Sequence, residues 1–517
     1  MRMVAAAQQG AAEEVRRAAE ARMVELSGSL EAGPAGLHFV RAVAFRAAGD
    51  IRAALAASAL MLSAAEREGD AGWRSTALSF RAGRRIMLGD GDLAEYDIDA
   101  VLRDLTAAEV ALAVGVADLS LAAAAHIGIG IGYNLLRLYE LAQPHYTAAY
   151  ELGLQYGDPE NAIPAICQAN LAEMHLEWAL ELYRVGEVAE AEKHSLIAES
   201  HALQAGRDAS PSNTYRRDAA ALYAGCARAD GDDPAGAAAQ INMYAERIRA
   251  YQRMDVWLFA MPFLAVALSR SGRHDEGLAV IEQAMAELPS DGEWLTAAAL
   301  THTHAVLLAK TGPPELQAVL RYGDGLAGAL WRQRQRTLNS AETLRSYQKL
   351  RAEHEQVSRS ANTDALTGVP NRRAFDRELA RRASATGAGD GTNAVLVIDL
   401  DGLKPLNDRL GHAVGDQTLQ TVAAALASEV RGRDLLARTG GDEFCALIDG
   451  ANTHDATQIA ERMVHAVRDL DLAITVSIGI AAGPSMAIQD TLHRADQAMY
   501  AAKGAGGNQA SAAPSPA

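Results

Sequence analysis

The sequence predicts a multidomain chain, with an all-α N-terminal region, a connecting helix and a C-terminal α+β domain. Its 517 residues are too many for one hydrophobic core, since single cores stop growing at about 250–300 residues. Through the first 320 residues apolar side chains recur at three- and four-residue spacing with few β-branched runs, which is typical of helices. Short apolar runs typical of strands come later, at 394–400 and 474–481.

Within residues 1–325 a small residue at a turn is followed, five positions later, by another small residue. The clearest instances are Gly186 with Ala191, Gly231 with Gly236 and Gly272 with Gly277. This pattern resembles the tetratricopeptide (TPR) repeat, a helix–turn–helix unit. The three turn glycines lie 45 and 41 residues apart, against about 34 in the standard repeat, so an unrelated helical bundle stays an alternative. The resemblance implies a sensor or interaction region for an unidentified protein or small molecule.

Residues 326–361 predict a polar helix that connects this region to the C-terminal domain. Its second half carries a seam at alternating three- and four-residue spacing: Tyr347, Leu350, His354, Val357 and Ala361. Such a seam favours a parallel two-stranded coiled coil. Upstream the seam degrades, with Arg334 and Gln348 at seam positions. A single solvated connecting helix is the alternative.

The bulk composition excludes several classes of protein. Lys and Arg number 48 against 65 Asp and Glu, a net charge of −17, which argues against a protein that coats nucleic acid. The three cysteines form no disulfide or zinc pattern. The N-terminus lacks the pattern of a signal peptide. The most apolar stretch, 110–133, is interrupted by Asp118 and His126 and predicts a buried helix rather than a membrane span. We expect a cytoplasmic protein.

The candidate chemistry lies on the predicted strands of the C-terminal domain. The strand 394–400 carries Asp399 at its end, and the strands 435–438 and 444–448 flank a Gly-Gly-Asp-Glu turn, which predicts a β-hairpin. Asp399 together with the acidic pair at the tip suits Mg²⁺, which takes one or two carboxylates plus substrate phosphates and water. Mn²⁺ also fits. Such a metal activates an attacking hydroxyl and neutralises developing phosphate charge.

The segment 364–508 resembles the GGDEF domain of diguanylate cyclases, and the motif stands intact at 440–444. The resemblance implies a nucleotidyl cyclase-like fold for residues 362–508, with a central antiparallel-rich sheet flanked by helices. It implies that the chain condenses two GTP into cyclic di-GMP, releasing two pyrophosphates, within a homodimer whose two sites face each other. The remaining residues, 509–517, are rich in Ala, Ser and Pro and predict a disordered tail.

The resemblance assigns site residues by their position in the motifs. The implied metal ligands are Asp399, the carbonyl of Leu400, Asp442 and Glu443. Asp442 is the implied proton acceptor for the 3′-hydroxyl, with Glu443 assisting. The implied substrate contacts are Asn407 and Asp416 on the guanine edge, His412 beside the nucleotide, the turn glycines Gly440 and Gly441, and Lys503 on the triphosphate. An Asp416 carboxylate can accept from guanine N1–H and its amino group, a pattern that adenine lacks.

Two further positions bear on regulation and affinity. Arg431 and Asp434 match the RxxD site at which cyclic di-GMP inhibits diguanylate cyclases. Gly507 stands where the family usually has an arginine that contacts phosphate, which weakens the expectation of tight GTP binding. The alternative to an enzyme is a catalytically silent module that senses GTP or cyclic di-GMP. The retained carboxylates favour the enzyme.

Overall fold

A computed structural model of the chain describes residues 3, 7, 11–89, 97–157, 162–289, 294–313, 315–384 and 392–514. The chain divides into two compact units, Met1–Leu350 and Arg351–Ala517. The first is helical and the second is mixed α and β.

The helical unit consists of helices joined by short turns. They are α1 (Ala12–Ser27), α2 (Ala35–Ala47), α3 (Ile51–Glu68), α4 (Ala71–Gly89), α5 (Ile98–Ala113), α6 (Leu119–Leu135), α7 (Tyr139–Tyr156), α8 (Ile163–Arg184), α9 (Val188–Asp208), α10 (Thr214–Ala227), α11 (Pro234–Ala250), α12 (Met254–Arg270), α13 (His274–Ala286) and α14 (Trp294–Thr311). A longer helix, α15, covers Glu315–Asn362. Side-chain caps start several of these helices by accepting a backbone N–H of the first turn: Asp50, Asp97, Asp118, Asn213 and Asp233.

Small residues let these helices pack closely. Ala54 and Ala191, which the sequence pattern places five positions after a turn glycine, are fully buried, and Gly49 and Gly186 occupy the turns with positive φ. The helical character of the region is confirmed, while the TPR type of repeat stays a prediction. Among the described residues no helix has both the length and the apolar character needed to cross a membrane.

The connecting helix differs from the prediction in where it starts and in what its first half contacts. It begins at Glu315 rather than at 326. Leu338 and Ala341 are buried in an apolar cluster of the helical unit, and only 4% of Arg334 is exposed. The upstream seam degrades because these residues pack within their own protomer. Downstream, Tyr347, Leu350 and Val357 are each more than 60% exposed.

The C-terminal unit is built on a five-stranded sheet in the order β2-β3-β1-β4-β5. The strands are β1 (Thr392–Asp401), β2 (Leu435–Arg438), β3 (Glu443–Ile448), β4 (Thr475–Pro484) and β5 (Ala510–Ala512). The helices are α16 (Arg372–Ala383), α17 (Leu403–Leu410), α18 (His412–Ser428), α19 (Thr453–Arg468) and α20 (Ile488–Gly504). Pairs β1–β3, β1–β4 and β2–β3 are antiparallel, and β4–β5 is parallel. The antiparallel-rich sheet is as expected.

Alternation along β1 gives the sheet two buried faces. Leu396 and Ile398 belong to one apolar cluster, together with residues of α18 and α19. Val395 and Val397 belong to the other, together with residues of α16 and α20. Asp399 lies two residues after Val397 on the strand, so its side chain is on the same face of the sheet, the one that α20 covers.

The predicted disorder of 509–517 is wrong for the residues that the structure describes there. Ala510–Ala512 form β5 on β4, Ile478 N–H donates to the Gln509 carbonyl at 2.9 Å, and Ala513 N–H donates to the Ile480 carbonyl at 2.8 Å. Composition did not reveal this strand because main-chain hydrogen bonds to an open sheet edge require no particular side chains. Residues 515–517 lie outside the described part.

Candidate active site

The end of β1 and the tip of the β2–β3 hairpin meet at one edge of the sheet. Asp399 on β1 is the register partner of Glu443 on β3, and the Leu400 N–H donates to the Asp442 carbonyl at 3.1 Å. Asp399 is buried, with 5% of its surface exposed, whereas Asp442 and Glu443 are half-buried. The structure therefore brings together the four positions predicted as metal ligands.

A cation already contacts this carboxylate group. The Lys503 Nζ atom, at the end of α20, lies 2.5 Å from Asp399 Oδ1. The ammonium shows that the buried carboxylate accepts a positive partner on this face of the sheet. Among the described residues no three His, Cys, Asp or Glu side chains form a ready metal site by themselves. Mg²⁺ usually takes one or two protein carboxylates and completes its shell with water and substrate phosphates.

The pKa shifts report the charge balance of the group. Burial raises the pKa of Asp399, the negative charges of Asp442 and Glu443 raise it further, and Lys503 opposes both effects. Burial lowers the pKa of Lys503, but its hydrogen bond to Asp399 and the negative charges of Asp399, Asp401 and Asp442 together outweigh burial, so the net shift of the Lys503 pKa is upward. The site therefore has an excess of negative charge that a metal ion would relieve.

The two glycines at the hairpin tip play different parts. Gly440 N–H donates to the Glu443 carbonyl at 3.3 Å and closes the turn. A Cβ at Gly440 would lie 2.8 Å from Glu443 Oε2, so a larger residue there would push that carboxylate away. A Cβ at Gly441 would meet open space. Of the two predicted substrate contacts, Gly441 thus stays open to a ligand, while the Gly440 amide is engaged within the turn.

The residues predicted to read the base lie on α17 and the start of α18. Asn407 packs so closely on α18 that a Cβ at Gly415 would fall 1.8 Å from Asn407 Oδ1. That oxygen is buried and has no hydrogen-bond partner among the described residues. Asp416 follows Gly415 directly, and His412 lies one turn earlier, both exposed. An orphaned buried acceptor beside an exposed carboxylate is a fitting place for a ligand that donates hydrogen bonds.

Comparison with known proteins agrees with this geometry. Residues 361–509 match the family model described as diguanylate cyclase, GGDEF domain. Residues 361–509 are a GGDEF domain. The chain is 38% identical over 175 residues to the diguanylate cyclase TpbB of Pseudomonas aeruginosa, which covers 31% of this chain and 40% of TpbB. It is 37% identical over 161 residues to the probable diguanylate cyclase DgcE of Escherichia coli, 29% of this chain and 14% of DgcE.

Among solved structures, the coiled coil and GGDEF domain of DgcB from Caulobacter crescentus, in complex with c-di-GMP, is 33% identical. The match covers 34% of this chain and 97% of that one, with a TM-score of 0.32. The chain spans less than half the length of TpbB and DgcE.

The predicted product site of the GGDEF domain lies at the turn before β2. Asp434 Oδ2 accepts from the Arg431 N–H at 2.9 Å, and its Oδ1 accepts from the Asp449 N–H at 3.0 Å. Asp434 therefore already shapes the turn, while Arg431 is exposed. Next to it lies a cavity of about 410 Å³ whose lining includes Arg377, Arg382 and Arg433 together with Glu378 and Asp434, and Arg382 is paired with Glu378 at 2.8 Å. Guanidinium groups favour a phosphate-bearing ligand.

One positioning contact was not anticipated from the sequence. The Arg438 guanidinium forms an ion pair with Asp364 at 2.9 Å and donates to the Gly441 carbonyl at 2.7 Å. It thus joins the start of the GGDEF domain to the hairpin tip. The only sequence signal was the place of Arg438 at the end of a predicted strand, next to the Gly-Gly turn.

Asp401 was also missed, and it organises the loop that follows Lys503. Its carboxylate accepts from the hydroxyls of Thr475 and Ser477 and from the Asn508 N–H at 3.0 Å. These contacts hold the segment 505–508 against the end of β1. Asp401 therefore places Gly507, the position at which the family usually has an arginine.

Proposed function

We propose that the GGDEF domain is a diguanylate cyclase that condenses two GTP into cyclic di-GMP with release of two pyrophosphates. The observation that carries the proposal is the convergence of Asp399, Asp442 and Glu443 at one sheet edge, beside the ammonium of Lys503. This is the charge arrangement that phosphoryl chemistry needs, with carboxylates for a divalent metal and a cation for the phosphate chain.

The chain's own residues would divide the reaction between them. Asp399, Asp442, Glu443 and the Leu400 carbonyl would hold Mg²⁺ or Mn²⁺, which when bound lowers the barrier to hydroxyl attack and neutralises phosphate charge. Asp442 would accept the proton of the 3′-hydroxyl of one GTP. The 3′-oxygen would then bond to the α-phosphorus of the second GTP, and pyrophosphate would leave from that phosphorus. Lys503 would balance charge on the triphosphate.

Guanine selection would rest on Asn407 and Asp416. The Asn407 Oδ1 is a buried acceptor without a donor among the described residues, so the guanine amino group would satisfy it. Asp416 would accept from N1–H and the same amino group. Adenine has no amino group at C2, so it would leave the buried Asn407 Oδ1 unpaired at a cost of about 1–3 kcal/mol, and its N1 acceptor would face the Asp416 carboxylate, which is also an acceptor. His412 would line the nucleotide on the same face of α18.

Each domain would hold one GTP, so catalysis would need two copies of the chain. The exposed side chains of Tyr347, Leu350 and Val357 on α15 offer an apolar stripe for a parallel coiled-coil homodimer. The helical unit would sense a protein or small molecule and set the pairing of this helix. Product binding at Arg431 and Asp434, beside the arginine-lined cavity, would inhibit synthesis.

The test is to incubate the full chain with GTP and Mg²⁺ and separate the products by chromatography. We expect cyclic di-GMP and pyrophosphate in a ratio of one to two, and no comparable product from ATP. Asp442→Asn keeps the size of the side chain and removes its charge, so it should abolish synthesis without changing the unfolding temperature. A wild-type chain that binds GTP yet forms no product would instead support the silent GGDEF module.

A further inference from the structure

The loop after Lys503, residues 504–508, contains no cationic side chain and lies against the Asp401 carboxylate at the end of β1. The triphosphate of GTP would arrive beside the carboxylates of Asp399, Asp401, Asp442 and Glu443. Among the described residues the ion pair of Lys503 with Asp399 is the one salt bridge that these four carboxylates make. Further positive charge near this loop would therefore raise affinity for a triphosphate.

Gly507 itself cannot easily supply that charge. Its φ is +72°, in the left-handed region that L-residues rarely adopt, and an added Cβ would lie 3.1 Å from Asp401 Oδ2. The Asp401 carboxylate cannot move away from such a Cβ without breaking its hydrogen bonds from Thr475, Ser477 and Asn508. The loop is therefore built for glycine.

A guanidinium from another element reaches the same loop. Arg468, the last residue of α19, donates from Nη2 to the Asn508 carbonyl at 3.4 Å and to its side-chain Oδ1 at 3.3 Å. Both contacts are long and both acceptors are neutral. Arg468 is exposed, and among the described residues no carboxylate lies within 4 Å of it. Its charge is thus available next to Gly507.

We propose that Arg468 supplies the positive charge that the loop after Lys503 lacks, and so determines affinity for the triphosphate of GTP. The proposal rests on the proposed cyclase function, because it assumes that GTP binds beside Lys503. Arg468 can leave two weak neutral acceptors for the stronger, charge-assisted hydrogen bonds to phosphate oxygens. The guanidinium fork suits such an anion better than an ammonium does.

The test measures binding separately from turnover. The ligands are 3′-deoxy-GTP, which lacks the attacking hydroxyl, and 3′-deoxyguanosine, which lacks the phosphates, each titrated calorimetrically into the full chain with Mg²⁺. We expect Arg468→Ala to lower the affinity for 3′-deoxy-GTP by about tenfold or more. The affinity for 3′-deoxyguanosine should fall by less than about twofold. Arg468→Lys keeps the charge and should recover part of the loss.

Arg462→Ala is the matched control. Arg462 is an exposed arginine on the same helix, paired with Glu429 at 2.8 Å, and its loss should leave both affinities unchanged. Equal weakening of both ligands by Arg468→Ala would overturn the proposal, since it would mean that Arg468 only supports the loop. An unchanged affinity for 3′-deoxy-GTP would also overturn it. If the wild-type chain bound 3′-deoxy-GTP but made no cyclic di-GMP, only the cyclase assignment would fail.

Discussion

The anchor that holds α15 to the helical unit gives the sharpest stability prediction. The Arg334 side chain is 1% exposed and forms an ion pair with Glu140, whose side chain is 31% exposed. Its Nε donates to the Arg137 carbonyl at 2.6 Å. Its guanidinium lies 4.5 Å from the ring centre of Trp331 and 5.1 Å from that of Tyr139. Glu140→Ala would leave this guanidinium buried without its counter-ion.

The size of the effect follows from burial. Removing one partner of a fully buried pair costs about 3–5 kcal/mol, because the remaining charge is neither solvated nor paired. Glu140 is partly exposed, so water can enter the space left by its side chain. We therefore expect Glu140→Ala to lower the free energy of unfolding by about 2–3 kcal/mol, less than for a fully buried pair. Replacing both Arg334 and Glu140 by Leu should cost less than Glu140→Ala alone, since no charge then stays buried.

The assay is urea unfolding followed by tryptophan fluorescence. All five tryptophans, at 73, 178, 257, 294 and 331, lie in the helical unit, so the signal in the full chain reports that unit alone. Glu276→Ala is the control, because it breaks a surface pair with Arg273 whose side chains are 51% and 58% exposed and should leave the free energy of unfolding nearly unchanged. A Glu140→Ala loss no larger than this control would refute the anchoring role of Arg334.

Three further predictions concern regulation and pH. Arg431→Ala should relieve inhibition by added cyclic di-GMP while the initial rate stays near normal; equal inhibition of variant and parent would show that the RxxD match is accidental. Leu350→Asp with Val357→Asp should lower specific activity and abolish its rise with protein concentration, whereas unchanged kinetics would make α15 a spacer only. Burial lowers the pKa of His126 to about 4 and of His175 to about 3, below the ordinary 6.5. Their contribution to stability is therefore complete above pH 6.5 and is lost as the pH falls. We expect the free energy of unfolding of the helical unit to fall by roughly 2 kcal/mol per histidine between pH 7 and 5. In the fluorescence assay, His175→Phe should make this decrease with pH smaller. A decrease as large as that of the parent would refute the role of His175.

The sequence by itself determined the elements that depend on local pattern. The helical periodicity predicted the N-terminal helices, and the strands at 394–400, 435–438 and 444–448 were found within two residues of their ends. The carboxylates were predictable too, because a strand-end aspartate and an acidic hairpin tip stand out within a few residues. These signals are local, so one chain segment contains all the information that is needed.

Contacts between distant segments were decided only by the tertiary structure. The burial of Arg334 depends on Glu140, 194 positions earlier, and for that reason a side chain that looked like a defect in a coiled-coil seam is an anchor. Likewise, Ala510–Ala512 became a strand because β4 offered an open edge. Arg468 reaches Asn508 across 40 positions. A charge or an unpaired main-chain group finds its partner by proximity in space, which spacing along the sequence does not encode.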